Sequence, residues 1–194
     1  IGEKTLMIPA KNTLENTSWA DIDRVSKLGM CPEYWNIGDT KSVLIDGMTY
    51  YAEIIGFSHD DLADGSGKAG ITFGLKDCLN SLYTMNSTAT NEGGWGGCEL
   101  RTTLQSTIFN QLESELTTVI KPVTKKASAG NQSTAINSYT DTLFLFAEKE
   151  VFGSIQYSAD GEGDQYSRFQ TASTRIKNSN GSASYWWLRS PFRN

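Results

Sequence analysis

Histidine is all but missing from this 194-residue sequence: the single imidazole is His59. Ser-His-Asp chemistry and histidine-built metal sites would both rest on that one side chain. Cysteine is scarce as well. Cys31, Cys78 and Cys98 are odd in number, far apart and without a C-x-x-C pair, so neither a zinc cage nor a disulfide framework is signalled, and one disulfide stays open. No apolar run nears the roughly 18 residues that a membrane-spanning helix needs, so no membrane insertion is expected. Positive charge is in deficit: 17 Lys and Arg stand against 22 Asp and Glu, a net charge of −5. Affinity built on neutralising phosphates needs the opposite sign, so nucleic acid is not expected as a partner.

What is present suffices for one sizeable core. Ser18 stands where an N-cap is preferred, and Trp19, Ile22, Val25 and Leu28 recur at helical spacing before Gly29, with Asp21 and Asp23 in the first turn. The pattern predicts a short amphipathic helix. Two β-prone runs, 42–45 and 48–57, flank Asp46-Gly47 and predict a hairpin. A polar, glycine-rich loop over 58–70 precedes a third strand at 71–75, and 84–97 has loop composition. Leu100, Leu104, Ile108 and Leu112 repeat every four residues and continue through Leu116, Val119 and Ile120 to Pro122, which predicts one bent helix or two short ones over 98–121. The small, polar segment 124–141 reads as an exposed loop, 143–146 as a buried strand, 148–152 as a turn of helix, 168–177 as a helix and 183–189 as a strand ended by Pro191. Strands and helices mix without a βαβ rhythm, so the class is α+β.

Candidate chemistry is sparse. Asp60, Asp61 and Asp64 surround Gly65 as oxygen donors in a calcium loop would, but Leu62 sits at the third position and Ile71 where the closing Glu belongs. Asp160, Glu162 and Asp164 alternate with glycines, with Gln165 at the place of the loop glycine. Both stretches read more simply as solvated acidic loops, so no cofactor is assigned, calcium is left open, and the metal ligands stay unassigned. Gly65-Ser66-Gly67-Lys68 resembles the end of a phosphate loop, yet Leu62 replaces its first glycine and Ala69 follows the lysine, which argues against a nucleotide. Cys98 and His59 could form a thiolate pair, although a cysteine opening a helix is more often packing. Glu99, Glu113 and Glu115 could supply a glycosidase pair, and read more simply as helix surface charge. No catalytic residue is assigned. Trp19, Trp35, Trp95, Trp186 and Trp187 offer flat platforms that suit sugar rings, though most tryptophans fill cores. Neighbours on a strand face opposite ways, so one of Trp186 and Trp187 needs a second layer or a ligand.

Five motifs follow one another along the chain: Trp19-Ala20-Asp21-Ile22, Trp35-Asn36-Ile37-Gly38-Asp39-Thr40-Lys41, Ile54-Ile55-Gly56-Phe57-Ser58-His59-Asp60, Gly94-Trp95-Gly96-Gly97-Cys98-Glu99-Leu100-Arg101 and Trp186-Trp187-Leu188-Arg189-Ser190-Pro191. As an ordered set they resemble a bacterial domain of unknown function, frequent in Firmicutes and their prophages, with C-type-lectin-like relatives. The resemblance implies a C-type-lectin-like mixed sheet with short helices, in which residues 1–17 are an N-terminal extension and 18–194 form one domain lacking its final strands. It implies a non-catalytic recognition module on a secreted, cell-surface or virion protein, binding a glycan or a surface protein. A structural or assembly module, or a hydrolase with an unrecognised site, are the alternatives. Trp95 in its glycine-rich loop is expected as the exposed ligand contact, followed by Asp60, Asp61 and Asp64. Arg189 is expected to be structural, paired with Glu99 or Asp39.

Overall fold

The computed structural model describes residues 7–192. Helix α1 (Trp19–Lys27) begins as its cap predicts, with the Ser18 hydroxyl oxygen accepting from Asp21 N at 3.1 Å. Its apolar stripe, Trp19, Ile22 and Val25, is buried, and Gly29 at φ +69° follows the C-terminus. A short helix α2 (Cys31–Tyr34) leads to a three-stranded antiparallel sheet of β1 (Thr40–Ile45), β2 (Met48–Gly56) and β3 (Thr72–Leu75), with β2 in the centre. The β1–β2 hairpin pairs Thr40 with Glu53 through Ile45 with Met48. Asp46 and Gly47 both have positive φ, 52° and 72°, which is what a twist-matched two-residue turn requires.

β2 changes character along its length. Met48, Thr49 and Tyr51 are exposed, whereas Ala52 to Gly56 are buried on both faces. Ile54 joins a core with α1, Trp35, Val43 and Ile108. Its neighbour Ile55 points the other way into a second core of Phe146, Val151, Tyr166 and Phe169. The sheet therefore separates two apolar layers. Gly74 in β3 permits the close approach of the second layer, since a Cβ there would lie 2.9 Å from Phe146. A third cluster gathers Trp95, Cys98, Leu100 and Ala127.

A short helix, α3 (Gly94–Gly97), forms at the end of the stretch expected as loop, and the expected helical region is several pieces: α4 (Glu99–Thr103), a π-helical turn at Leu104–Ile108, α5 (Phe109–Gln111) and, after a break, α6 (Ser114–Thr117). The segment expected as an exposed loop over 124–141 is instead a hairpin of β4 (Val123–Ser128) and β5 (Ile136–Asp141). Its inward positions, Val123, Lys125 and Ala127, do alternate, but a lysine in the middle hides the apolar period. Residues 143–146 are not a strand: this irregular stretch directs the Leu145 and Phe146 carbonyls at Arg189. Helix α7 (Glu148–Phe152) forms as expected. The helix expected over 168–177 is two 3-10 turns, Ser167–Phe169 and Ala172–Arg175. Of the strand expected at 183–189, β7 (Ser182–Ser184) covers the start, paired with β6 (Lys177–Ser179), and the Trp186-Trp187 segment is irregular.

Helices mixed with small antiparallel sheets make the class α+β. The segment expected as an extension is partly packed: Leu14 is buried in the first core and Glu15 accepts from Ser42 N at 2.7 Å. All three cysteines are free thiols, so the disulfide left open by the sequence is not formed. Among the described residues, no helix is long and apolar enough to cross a membrane.

Candidate functional site

Five elements distant in sequence deliver four charged side chains and a phenol to one point between the sheet and the β4–β5 hairpin. Asp60 lies just beyond β2, Lys125 is the inward residue at the centre of β4, Glu150 belongs to α7, Tyr166 precedes the first 3-10 turn, and Arg189 comes from the irregular C-terminal segment. Lys125 Nζ donates to Asp60 Oδ1 at 2.7 Å, Glu150 Oε1 at 2.6 Å and Tyr166 Oη at 2.9 Å. It lies 4.4 Å from the Phe144 ring centroid, a cation–π contact. The Tyr166 hydroxyl donates to both Asp60 oxygens at 2.9 Å, and Thr72 Oγ1 donates to Oδ2 at 2.7 Å.

Arg189 completes the charge balance. Its Nη1 and Nη2 reach the two Glu150 oxygens at 2.6 and 2.9 Å, and its other N–H groups meet the carbonyls of Lys126, Leu145 and Glu162. The guanidinium's whole donor set is thus engaged. Two cations face two carboxylates, and none of these side chains is more than 3% exposed. Burial pushes the Asp60 carboxyl up, but the Lys125 charge and the hydrogen bonds from Lys125, Thr72 and Tyr166 outweigh it and hold it below its usual value. Glu150 follows the same balance, with burial overcome by the Arg189 and Lys125 charges. Burial, with Glu150 and Asp60 nearby, drives the Tyr166 phenol well up. Glu162, fully buried, accepts from Ser128 N at 2.7 Å and from the Ser190 hydroxyl, yet burial leaves its carboxyl raised. A sealed, saturated cluster of this kind offers no path to a diffusing substrate; it ties β2, β4, α7 and the C-terminal segment together.

The expected ligand contacts fall on both sides of the surface. Trp95 is buried, at 0% exposure, and its Nε1 donates to Asp141 Oδ2 at 2.7 Å, which corrects the expectation of an exposed platform. The glycines around it serve close packing: Gly94 has φ +54° and its Cβ would fall 2.1 Å from the Ser128 carbonyl oxygen. Asp60 is likewise not a loop contact, being buried on Lys125. Asp61 and Asp64 are exposed. Asp61 pairs with Lys68 at 2.8 Å, and Asp64 accepts from Ser66 N and Oγ at 2.9 and 2.6 Å.

The remaining candidates are separated. Cys98 donates its thiol to the Met85 carbonyl at 3.2 Å, while His59 stacks on Tyr166 at 4.0 Å, so they form no pair. Glu113 accepts from Trp19 Nε1, Glu99 from Ser87, and Asp160 pairs with Lys149. Arg189 is structural as expected, but its partner is Glu150 rather than Glu99 or Asp39. Trp186 packs in the second core, whereas Trp187 is 54% exposed with its Nε1 donating to the Tyr83 carbonyl. Among the described residues, no group of three or more His, Cys, Asp or Glu is arranged to hold a metal ion.

An open cleft of about 290 Å³ lies where the exposed start of β2 and the chain after β3 meet the β6–β7 hairpin. Asn178 N and Nδ2 both donate to Asp77 Oδ1, at 2.8 and 3.0 Å, and dock that hairpin. Its turn, Asn180-Gly181, has positive φ at both residues, and Asn180 lines the cleft. Tyr51, 50% exposed, faces the cleft with Lys76, Asn80 and Asn178. Cys78 lines it too, and burial raises its thiol, which keeps it protonated and a poor nucleophile. A wider depression of about 530 Å³ runs beside Tyr34 and Trp35, where Tyr34 Oη and Trp35 Nε1 already donate to the Pro9 and Asn12 carbonyls.

A family model described as a domain of unknown function, DUF6273, matches residues 69–194, more than half of the chain. The match includes Lys125, Glu150, Tyr166 and Arg189, while Asp60 and the strands β1 and β2 that complete the sheet precede it. No curated protein matches the chain. No solved structure matches it either.

Proposed function

The chain belongs to the DUF6273 family, and from that premise we propose that it is a non-catalytic recognition module holding a glycan in the cleft between β2 and the β6–β7 hairpin. One observation carries the reading: the cleft is lined by an exposed tyrosine, Tyr51, together with Tyr50 and three asparagines, Asn80, Asn178 and Asn180. A sugar presents C–H groups to a ring face and hydroxyls to amides, and this lining offers both. The volume of about 290 Å³ is near the lower end of small-ligand sites, the scale of a terminal sugar rather than a long chain. The densest collection of ionisable groups is sealed inside the protein, where it can act on no diffusing substrate.

The reading extends to a C-type-lectin-like arrangement on a secreted, cell-surface or virion protein of a bacterium or its prophage, supported by the five ordered motifs. A second reading, an assembly module, is favoured by the exposure of Leu82, Tyr185 and Trp187, at 94%, 102% and 54%. A glycan array probed with the folded chain, with calcium and with chelator, separates the two. Binding to a restricted group of glycans is expected. Silence under both conditions, together with concentration-dependent association, contradicts glycan recognition and supports assembly.

A further inference from the structure

We propose that Lys125 and Asp60 condense with one another to form an intramolecular amide bond that staples β4 to the chain following β2. The proposal is independent of the glycan reading and rests on the arrangement of the buried cluster. An amine nucleophile, an acyl carbon, a proton acceptor and two hydrogen-bond donors are assembled around one bond that could form. Lys125 Nζ is 2.7 Å from Asp60 Oδ1, and Glu150 Oε1 is 2.6 Å from the same nitrogen. Thr72 Oγ1 and Tyr166 Oη donate to Asp60 Oδ2 at 2.7 and 2.9 Å, where charge develops as the amine adds to Cγ.

Asp60 is the acyl partner rather than Glu150 because the two carboxylates are held differently. Both Glu150 oxygens are gripped by Arg189, and Oε2 also accepts from Ala147 N at 2.9 Å. Asp60 has no cation other than Lys125 among the described residues, and its two oxygens are already distinguished: Thr72 holds Oδ2, while Oδ1 faces the amine.

The step balances without a co-reactant. The ammonium passes one proton to Asp60 Oδ1, which turns the carboxylate into an electrophilic acid, and the freed nitrogen lone pair adds to Cγ while Glu150 takes a second proton from that nitrogen. The Cγ–Oδ1 bond then breaks, and Oδ1 departs as water carrying two of the three protons first held by Lys125. Glu150 gives its proton back in that departure and returns to the carboxylate paired with Arg189. One positive and one negative charge vanish together, nothing is oxidised or reduced, and the Arg189–Glu150 pair remains neutral. Condensation is favoured where water is scarce and ions are poorly solvated. Lys125 and Asp60 are each 3% exposed, with the Phe144 and Tyr166 rings 4.4 and 5.3 Å from the ammonium.

The test is the intact mass of the full chain, folded, aged at neutral pH and then denatured. The result expected is a mass one water below that of the sequence, with proteolysis giving a branched peptide that joins the segments carrying Asp60 and Lys125. A folded chain at its full sequence mass overturns the proposal. So does a water loss mapped to Asp46-Gly47, Asp64-Gly65 or Asp160-Gly161, where an aspartate can cyclise on its own backbone. Glu150→Gln and Lys125→Met, each checked for folding by circular dichroism, are expected at full mass. A folded Glu150→Gln chain that still loses water overturns the role of Glu150 as proton acceptor.

Discussion

Arg189 holds Glu150 by both carboxylate oxygens, at 2.6 and 2.9 Å, with neither side chain more than 2% exposed. Residues 185–192 form no strand, and this pair anchors them to α7. Removing one partner leaves a buried charge without compensation. Arg189→Met is therefore expected to destabilise the fold by about 3–5 kcal/mol, read from urea unfolding. Replacing Arg24, whose pair with Asp21 is half-exposed, is expected to change stability by less than about 1 kcal/mol.

Trp95 gives a second prediction. Its indole N–H satisfies Asp141, which Arg101 Nε also contacts at 2.7 Å. Trp95→Phe is expected to cost about 1–3 kcal/mol by leaving a buried carboxylate short of a donor. Glycan binding by the folded fraction is expected to stay unchanged, as titration of that variant will show.

Stability should depend on pH in two opposed ways. Glu150 is held below its ordinary value in the folded chain, as is Asp60 while it is not bonded to Lys125, so the stability these carboxylates contribute is present above the ordinary carboxylate range and is lost as acid titrates them in the fold. Glu162 has the opposite shift. Its raised carboxyl contributes stability below its ordinary value, lost as pH rises through the folded value. Unfolding measured across pH is expected to show a steep acid limb and a smaller decline just above the ordinary carboxylate range. Glu162→Gln should abolish the second while leaving the first.

Gly94 offers a backbone test. Gly94→Ala would place a methyl against the Ser128 carbonyl and force a side chain into positive φ, so a marked fall in melting temperature is expected. Gly29→Ala shares the positive φ but meets open space, and its effect should be the smaller one.

The parts of the fold legible in the sequence are those with local signals. Ser18 and the Trp19-Ile22-Val25 stripe mark α1, Asp46-Gly47 marks the β1–β2 hairpin, and both form as read. The β4–β5 hairpin was hidden because its central inward residue is Lys125, and charge normally reads as surface. The buried cluster was hidden for a second reason. Asp60, Lys125, Glu150 and Arg189 meet only through tertiary packing, and no spacing in the chain encodes that meeting. Trp95 misled because glycines around a tryptophan suit an exposed loop and a tight backbone approach equally well, and only the approach to Ser128 distinguishes them. The cleft was unreadable for the same reason as the cluster, since Tyr51, Asn80 and Asn180 come from separate strands and turns.

Recognition through that cleft is tested most directly by calorimetric titration of an array-selected glycan into the chain and its Tyr51→Ala and Asn180→Ala variants, with Asp61→Ala as a surface control. Affinity about tenfold weaker or worse in both cleft variants, ~1.4 kcal/mol, with the control unchanged, is the result expected. Equal affinity in all of the folded proteins would contradict it.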